Sequence, residues 1–306
     1  MSGPGRGRIV IGYTATDAGK DAVALGARLA AASGSDLHLV VVLPSDQRSV
    51  ITPPDASYDR YLQDQAQSWL AAAAEQIPGD TPRTPHVRFA DSFAEGLIAL
   101  ADELDASHIV VGAANGGRRG RHRLGTVATE LLHSSDVPVV LAPEGTRGLE
   151  AAAGVTRITA AIGTRPGAEA LLDESIALAV ATGAPLRLLS LVSVDLPASV
   201  DTGVIRIAGA AHADDVLGRA LDALPAGVEA EVVVARGDSI EDAVAHLTWE
   251  PGELAVVGSS RLAQPRRLFL GSTAAKMLHE LPVPMVVVPR TRQTAAGSNH
   301  TEGQRA

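Results

Sequence analysis

Apolar residues along this chain fall into two alternating kinds of run. One kind is short, continuous and β-branched, as in HLVVVL (His38–Leu43) and HIVV (His108–Val111). Runs of that sort suit strands buried on both faces. The other kind is spaced helically: Ala22, Leu25, Leu29 and Ala32 recur three and four residues apart and predict a helix with one apolar stripe. Read this way, the first half has strands at Arg8–Tyr13, Leu37–Leu43, His86–Ala90, His108–Gly112 and Val137–Ala142. Between them fall helices at about Asp17–Ala32, Ser57–Gln76, Ser92–Leu104 and Thr126–His133. The second half gives strands at Arg157–Ile162, Arg187–Val194, Val228–Ala235, Leu254–Val257 and Val283–Val288. Strand–helix alternation requires crossover connections, hence parallel strands with helices on both faces. The predicted class is α/β, with two doubly wound, Rossmann-like domains, each a five-stranded parallel sheet flanked by helices.

The halves are copies of one unit. Residues 124–144 (LGTVATELLHSSDVPVVLAPE) and 270–290 (LGSTAAKMLHELPVPMVVVPR) share nine of 21 positions at an offset of 146. Upstream, HIVVGAAN ending at Asn115 stands over LAVVGSSR ending at Arg261, and RIVIGYT from Arg8 corresponds to RITAAIG from Arg157. A repeat of this length places one supersecondary unit after another. The expected organisation is a first domain over 1–148, a linker over 149–156, a second domain over 157–290 and a disordered tail over 291–306. Each copy ends in a strand bounded by prolines, Pro138 and Pro143 in one and Pro284 and Pro289 in the other. An exposed strand edge attracts a partner. Val139–Leu141 and Met285–Val287 are therefore expected to pair antiparallel, making an intramolecular pseudo-dimer. Association of two such chains into a homodimer stays open.

Composition narrows the function classes. The chain has 306 residues, 46% of them hydrophobic, which is enough for real cores. The net charge is −9 and aromatics are 3%, against a nucleic-acid surface with stacking platforms. With no cysteine, disulfide scaffolds, thiol nucleophiles and thiolate metal sites are excluded, and a cytoplasmic location is expected. No apolar stretch reaches the length of a membrane helix, because Arg187 interrupts the best one, Ala177–Val194. Met1–Arg8 is Gly/Arg-rich and lacks an apolar signal core.

In an open doubly wound sheet, ligands bind beyond the carboxyl ends of the strands where strand order reverses. The loops after the first and fourth strands are therefore the candidates. Gly112 ends the fourth strand, an Arg-rich loop follows (Arg118, Arg119, Arg121, Arg123), and Gly125-Thr126 opens a helix. Glycine admits a phosphate to the backbone, and a helix start offers free N–H groups and partial positive charge. The Thr126 hydroxyl can donate to a phosphate oxygen or cap the helix. The second copy offers Gly258, then Arg261, Arg266 and Arg267, then Gly271-Ser272-Thr273.

These residues resemble the universal stress protein family in its tandem two-domain form. The family motif runs Gly, two residues, Gly, nine residues, Gly, then Ser or Thr. Gly112 and Gly125-Thr126 stand at that spacing, as do Gly258 and Gly271-Ser272. The middle glycine is Asn115 in one copy and Arg261 in the other, and the aspartate that usually follows the first strand is Thr14 or Gly163. The resemblance implies an adenine nucleotide, usually ATP, as ligand, with weak or no turnover. The residues it assigns to nucleotide binding are Thr14, Gly112, Asn115, Gly125 and Thr126, with Gly258, Arg261, Gly271, Ser272 and Thr273 in the second copy.

Other signals read as structural. Gly19-Lys20-Asp21 lacks the glycine and the hydroxyl of a phosphate loop, with Thr14 and Asp21 standing there. His133 and His279 fall in the last turn of equivalent helices and suit caps. Asp91-Ser92 and Asp238-Ser239 suit N-caps. No Ser/His/Asp set, paired carboxylates or metal spacing emerges, so the chain is expected not to be an enzyme. Two alternatives remain at this stage: a nucleotide-independent interaction module with degenerate pockets, and a weak ATP hydrolase.

Overall fold

The computed structural model describes residues 6–45, 56–114, 124–163, 167–193, 214–259 and 270–289. The first half runs β1 (Arg8–Gly12), α1 (Asp17–Ser33), β2 (Asp36–Pro44), α2 (Ala56–Ala74), β3 (Arg83–Ala90), α3 (Phe93–Glu103), β4 (His108–Gly112), α4 (Thr126–Ser134) and β5 (Val139–Ala142). Two 3-10 turns, Thr146–Gly148 and Ala151–Ala153, lead into the second half. There follow β6 (Ile158–Ala161), α5 (Ala168–Thr182) and β7 (Leu186–Ser193), then a helix α6 over 214–222. The rest is β8 (Ala230–Gly237), α7 (Ile240–Ala245), β9 (Leu254–Gly258), α8 (Ser272–Glu280) and β10 (Met285–Val288).

All ten strands form one sheet in the order β3-β2-β1-β4-β5-β10-β9-β6-β7-β8. Pairing is parallel within each half. The expected edge contact is present: β5 meets β10 antiparallel, with Val140 opposite Val286, Leu141 opposite Met285 and Val139 opposite Val287. The two predicted sheets are therefore one surface. Its apolar side chains alternate into two cores. One lies under α1, α2, α5 and α6, the other under α3, α4, α7 and α8, and each draws residues from both halves.

Where elements differ from expectation, a local cause is visible. β3 begins at Arg83 rather than His86 and contains Pro85. It ends the strand order, so the N–H that proline lacks faces no neighbour. β5 begins at Val139 rather than Val137, because the Ser135 hydroxyl accepts from Val137 N at 3.1 Å and donates to its carbonyl at 2.7 Å. The largest departure is α1. Its buried residues extend beyond one stripe to Asp21 and Arg28, while Ala32 is only half-buried. The 3-10 turns and α5 cover the side turned away from the sheet. Arg147 secures that cover. Its guanidinium donates to Asp21 at 2.9 Å and to Asp17 at 3.1 Å. The backbone N–H groups of Gly145 and Arg147 also donate to the Asp21 carboxylate, at 3.1 and 2.8 Å. The buried carboxylate of α1 is thus fully matched.

Arg187, which breaks the longest apolar stretch, is buried at the start of β7. It donates to Glu253 at 2.6 Å, Arg157 donates to the same carboxylate at 2.8 Å, and Trp249 lies 4.9 Å from its guanidinium carbon. Among the described residues, no helix is long and apolar enough to cross a membrane.

Candidate functional site

Strand order reverses between β1 and β4 in the first half and between β6 and β9 in the second. At these two points the following helices diverge to opposite faces and open a crevice at the carboxyl ends of the strands. α1 and α4 frame the first crevice.

The chain leaves β1 through Thr14, which is exposed, and turns tightly into α1. Thr16 is the N-cap and accepts from Gly19 N at 3.3 Å, while its hydroxyl meets that of Thr14 at 2.9 Å. A Cβ on Gly19 would lie 1.9 Å from the Thr14 carbonyl oxygen, so only glycine permits the turn. Lys20 meets Asp17 at 3.5 Å, with both side chains about half-exposed. The first turn of α1 presses on β4: a Cβ on Gly112 would lie 2.0 Å from the Ala18 carbonyl oxygen. Gly112 thus has a packing role.

α4 starts where the sequence places it, at Thr126, with Gly125 as N-cap in extended conformation (φ −90°, ψ 175°). No side chain caps it. Three other helices differ from it chemically, whereas α5 and α8 also start on an uncapped glycine. α1, α3 and α7 each begin on a hydroxyl that accepts a first-turn N–H, from Thr16, Ser92 and Ser239 respectively. The Asp91-Ser92 and Asp238-Ser239 pairs thus do cap, through the serine in each case. Replacing such a hydroxyl by glycine leaves first-turn donors for another acceptor. Thr126 is exposed beside those donors. A Cβ on Gly125 would meet only the Ala114 Cβ, at 3.3 Å.

The second crevice repeats the helix start but not its surroundings. Gly271 caps α8 without a side chain, with Ser272 exposed and Thr273 half-buried behind it. α5 starts only at Ala168, after Gly167 in the left-handed region at φ 99°. No backbone presses on Gly258; its nearest neighbour is Leu171 Cδ1, at 3.5 Å from an added Cβ. A Cβ on Gly163, opposite Thr14 in the repeat, would meet nothing within 4 Å among the described residues. Asn115, Arg261 and the arginines at 118, 119, 121, 123, 266 and 267 lie outside the described residues. His133 reads as expected: its Nδ1 meets the Thr129 carbonyl at 2.5 Å in the last turn of α4.

Sequence reasoning missed two features of this region. One is the Asp21–Arg147 clamp, signalled only by an acidic residue leading into an alanine-rich run. The other is Ser259, buried directly after Gly258, whose hydroxyl has no partner among the described residues. Among the described residues no group of three or more His, Asp or Glu could hold a metal ion.

Comparison with known proteins agrees with this architecture. The family model described as "Universal stress protein family" matches twice, over residues 5–143 and 154–289. A universal stress protein of Mycobacterium tuberculosis is 27% identical over 299 residues, covering 92% of this chain and 99% of its own. The crystal structure of a universal stress protein from Archaeoglobus fulgidus is similar in fold, with TM-score 0.65 and 18% identity over 93% of this chain and 98% of that one. With the model matched in both halves and the crevices formed where the repeat puts them, the chain belongs to the universal stress protein family and carries two copies of its domain.

Proposed function

We propose that this protein is a cytoplasmic adenine-nucleotide-binding sensor, with ATP as the ligand, and that it acts by binding rather than by turnover. The observation that carries the reading is the uncapped start of α4 at the strand-order reversal. Hydroxyls cap α1, α3 and α7, whereas the helix beyond β4 keeps its first-turn donors and its positive dipole end for an anion. Gly125 lets phosphate oxygens reach those N–H groups, and the Thr126 hydroxyl adds a donor. Thr14, exposed at the end of β1, offers a neutral hydroxyl to the rest of the nucleotide. Gly271, Ser272 and Thr273 supply a second site of the same kind, with Gly258 at its floor. The chemistry of the donor set fits a phosphate-bearing ligand. Thr14, Gly112, Gly125 and Thr126 include no side chain that takes a proton near neutral pH, which favours binding over hydrolysis. Occupancy would bias the protein between conformations that differ in affinity for the nucleotide, and partner choice would follow.

Calorimetry with ATP and ADP on the purified chain tests this. The expected result is saturable heat in the wild type and an affinity at least about tenfold weaker in Gly125→Val, whose branched side chain stands where phosphate must approach. No heat at about 1 mM nucleotide overturns the reading. It would leave a nucleotide-independent interaction module, which the tight packing of Ala18 on Gly112 also accommodates. Phosphate release above background that Gly125→Val abolishes would instead establish a hydrolase.

A further inference from the structure

We propose that the hydrogen-bonded pair His38–His86 is an acid-released latch that holds the outer strand of the first half to the sheet. β3 ends the strand order and pairs only with β2. The register sets His86 opposite Val40 and His38 opposite Thr84, so the two rings lie diagonally on one face, the face that α3 covers. His38 Nδ1 and His86 Nε2 are 2.9 Å apart, with ring centroids at 5.2 Å and planes inclined by 35°. A direct imidazole–imidazole bond needs one donor and one acceptor nitrogen. Once both rings are protonated, all four nitrogens are donors. The bond is then gone, and two cations face each other across the strand pair.

Two carboxylates lie near the pair and oppose that repulsion only in part, because each is shared with an arginine. The charged groups around the pair are Arg8 from β1, Asp36 from β2, Arg88 from β3 and Glu103 from α3. Glu103 is held by Arg88 at 2.6 Å, and Asp36 has Arg6 at 3.7 Å. Burial is the main cause that pushes both histidines below their ordinary range. Arg8 adds to it at His38, and His38 and Arg88 add to it at His86, against the opposing pull of Asp36 and Glu103. A depressed value means the folded state favours the neutral rings. The stabilisation is present above the ordinary histidine value of 6.5 and is lost as pH falls through the depressed ones.

The device belongs to one half. At the corresponding places the second half has Arg187, permanently charged and bound to Glu253, and the apolar Val233. Acid therefore loosens β3 from β2 and spares β7 and β8. The inference does not depend on what the crevice binds.

Amide hydrogen exchange on the full chain, read by mass spectrometry and corrected for intrinsic rates, tests the latch. Protection of peptides from β2 and β3 should be level between about pH 7.5 and about pH 6.5, then fall towards about pH 5.5 by up to about tenfold per pH unit for each proton coupled to opening. Peptides from β7 and β8 should hold. The double variant His38→Gln/His86→Gln keeps hydrogen-bonding amides but cannot titrate, so its β2 and β3 protection should be flat across that range. Equal pH profiles in wild type and variant, or no acid loosening in the wild type, overturn the proposal. If the variant does not fold, imidazole nitrogen NMR on the wild type decides. Loss of the shared bond in step with strand loosening supports the latch, and titration of both rings without loosening overturns it.

Discussion

A methyl group on Gly112 would lie 2.0 Å from the Ala18 carbonyl oxygen, whereas one on Gly258 would meet nothing nearer than 3.5 Å. These glycines hold the same place in the two repeats, yet physical demand on them differs. In the first half backbone meets backbone, and neither side can swing away as a side chain could. Thr16 and the Arg147 clamp fix the first turn of α1 from the other side. Gly112→Ala should therefore destabilise the chain by about 1–3 kcal/mol through overpacking. Gly258→Ala should stay within about 0.5 kcal/mol of wild type, because its Cβ falls at ordinary contact distance from Leu171. Urea unfolding of both variants measures the difference. Equal losses at the two sites would mean that the first helical turn is not seated on β4 as described. A motif glycine can thus be explained by packing in one copy and not in the other, and its presence alone identifies no ligand site.

At the scale of elements, the decisive contact is β5 against β10. Val140 and Val286 face each other in register and are 0% and 1% exposed. Val140→Asp with Val286→Asp would set two carboxylates opposite each other in a dry strand pair, where neither could keep its charge without a partner. The expected result is loss of more than about 4 kcal/mol, or separation of the halves, seen as a lower melting point and a larger radius in small-angle scattering. Unchanged melting and scattering would contradict the pairing. This contact was legible in the sequence because two valine-rich, proline-bounded strands recur in register, and an edge needs a partner. The strand cores were legible for the same reason, as continuous β-branched runs. The start of α4 was legible too, since Gly125-Thr126 breaks one pattern and opens another. The burial of α1 was not. Its outer face is covered by residues 146–153, more than a hundred positions away, and no period in the helix itself records that. The full length of β3 was hidden by Pro85, which argues against a strand until its edge position is known. The packing role of Gly112 was hidden because it depends on where Ala18 lands in three dimensions.

For the whole molecule, the question is whether two copies of a domain behave as two bodies or one. Each half has enough sequence for a domain of ordinary size, so independent melting is the default expectation for a duplicated chain. Three observations argue against it here. The core on the α1 side includes Val140 and Leu25 from the first half together with Val286, Leu171 and Leu178 from the second. The core on the α3 side likewise joins Leu141 and Val139 to Met285 and Val287. Across the seam, His108 of β4 meets Glu174 of α5 at 2.9 Å, and both are buried. Opening the seam would expose apolar surface on both faces of the sheet, unpair two central strands and leave a buried histidine and glutamate without each other. Those losses fall on both halves at once, so neither half retains its native core while the other is unfolded. Heat should therefore unfold the chain in one transition, with calorimetric and van't Hoff enthalpies in agreement. The acid latch sharpens this test, because it weakens only the outer strand of one half, far along the sheet from the seam. Lowering the pH should reduce the melting temperature while keeping a single transition. Two resolved transitions at neutral pH would show that β5 and β10 join two bodies that fold separately, and the seam would then be a contact between domains rather than the middle of one core.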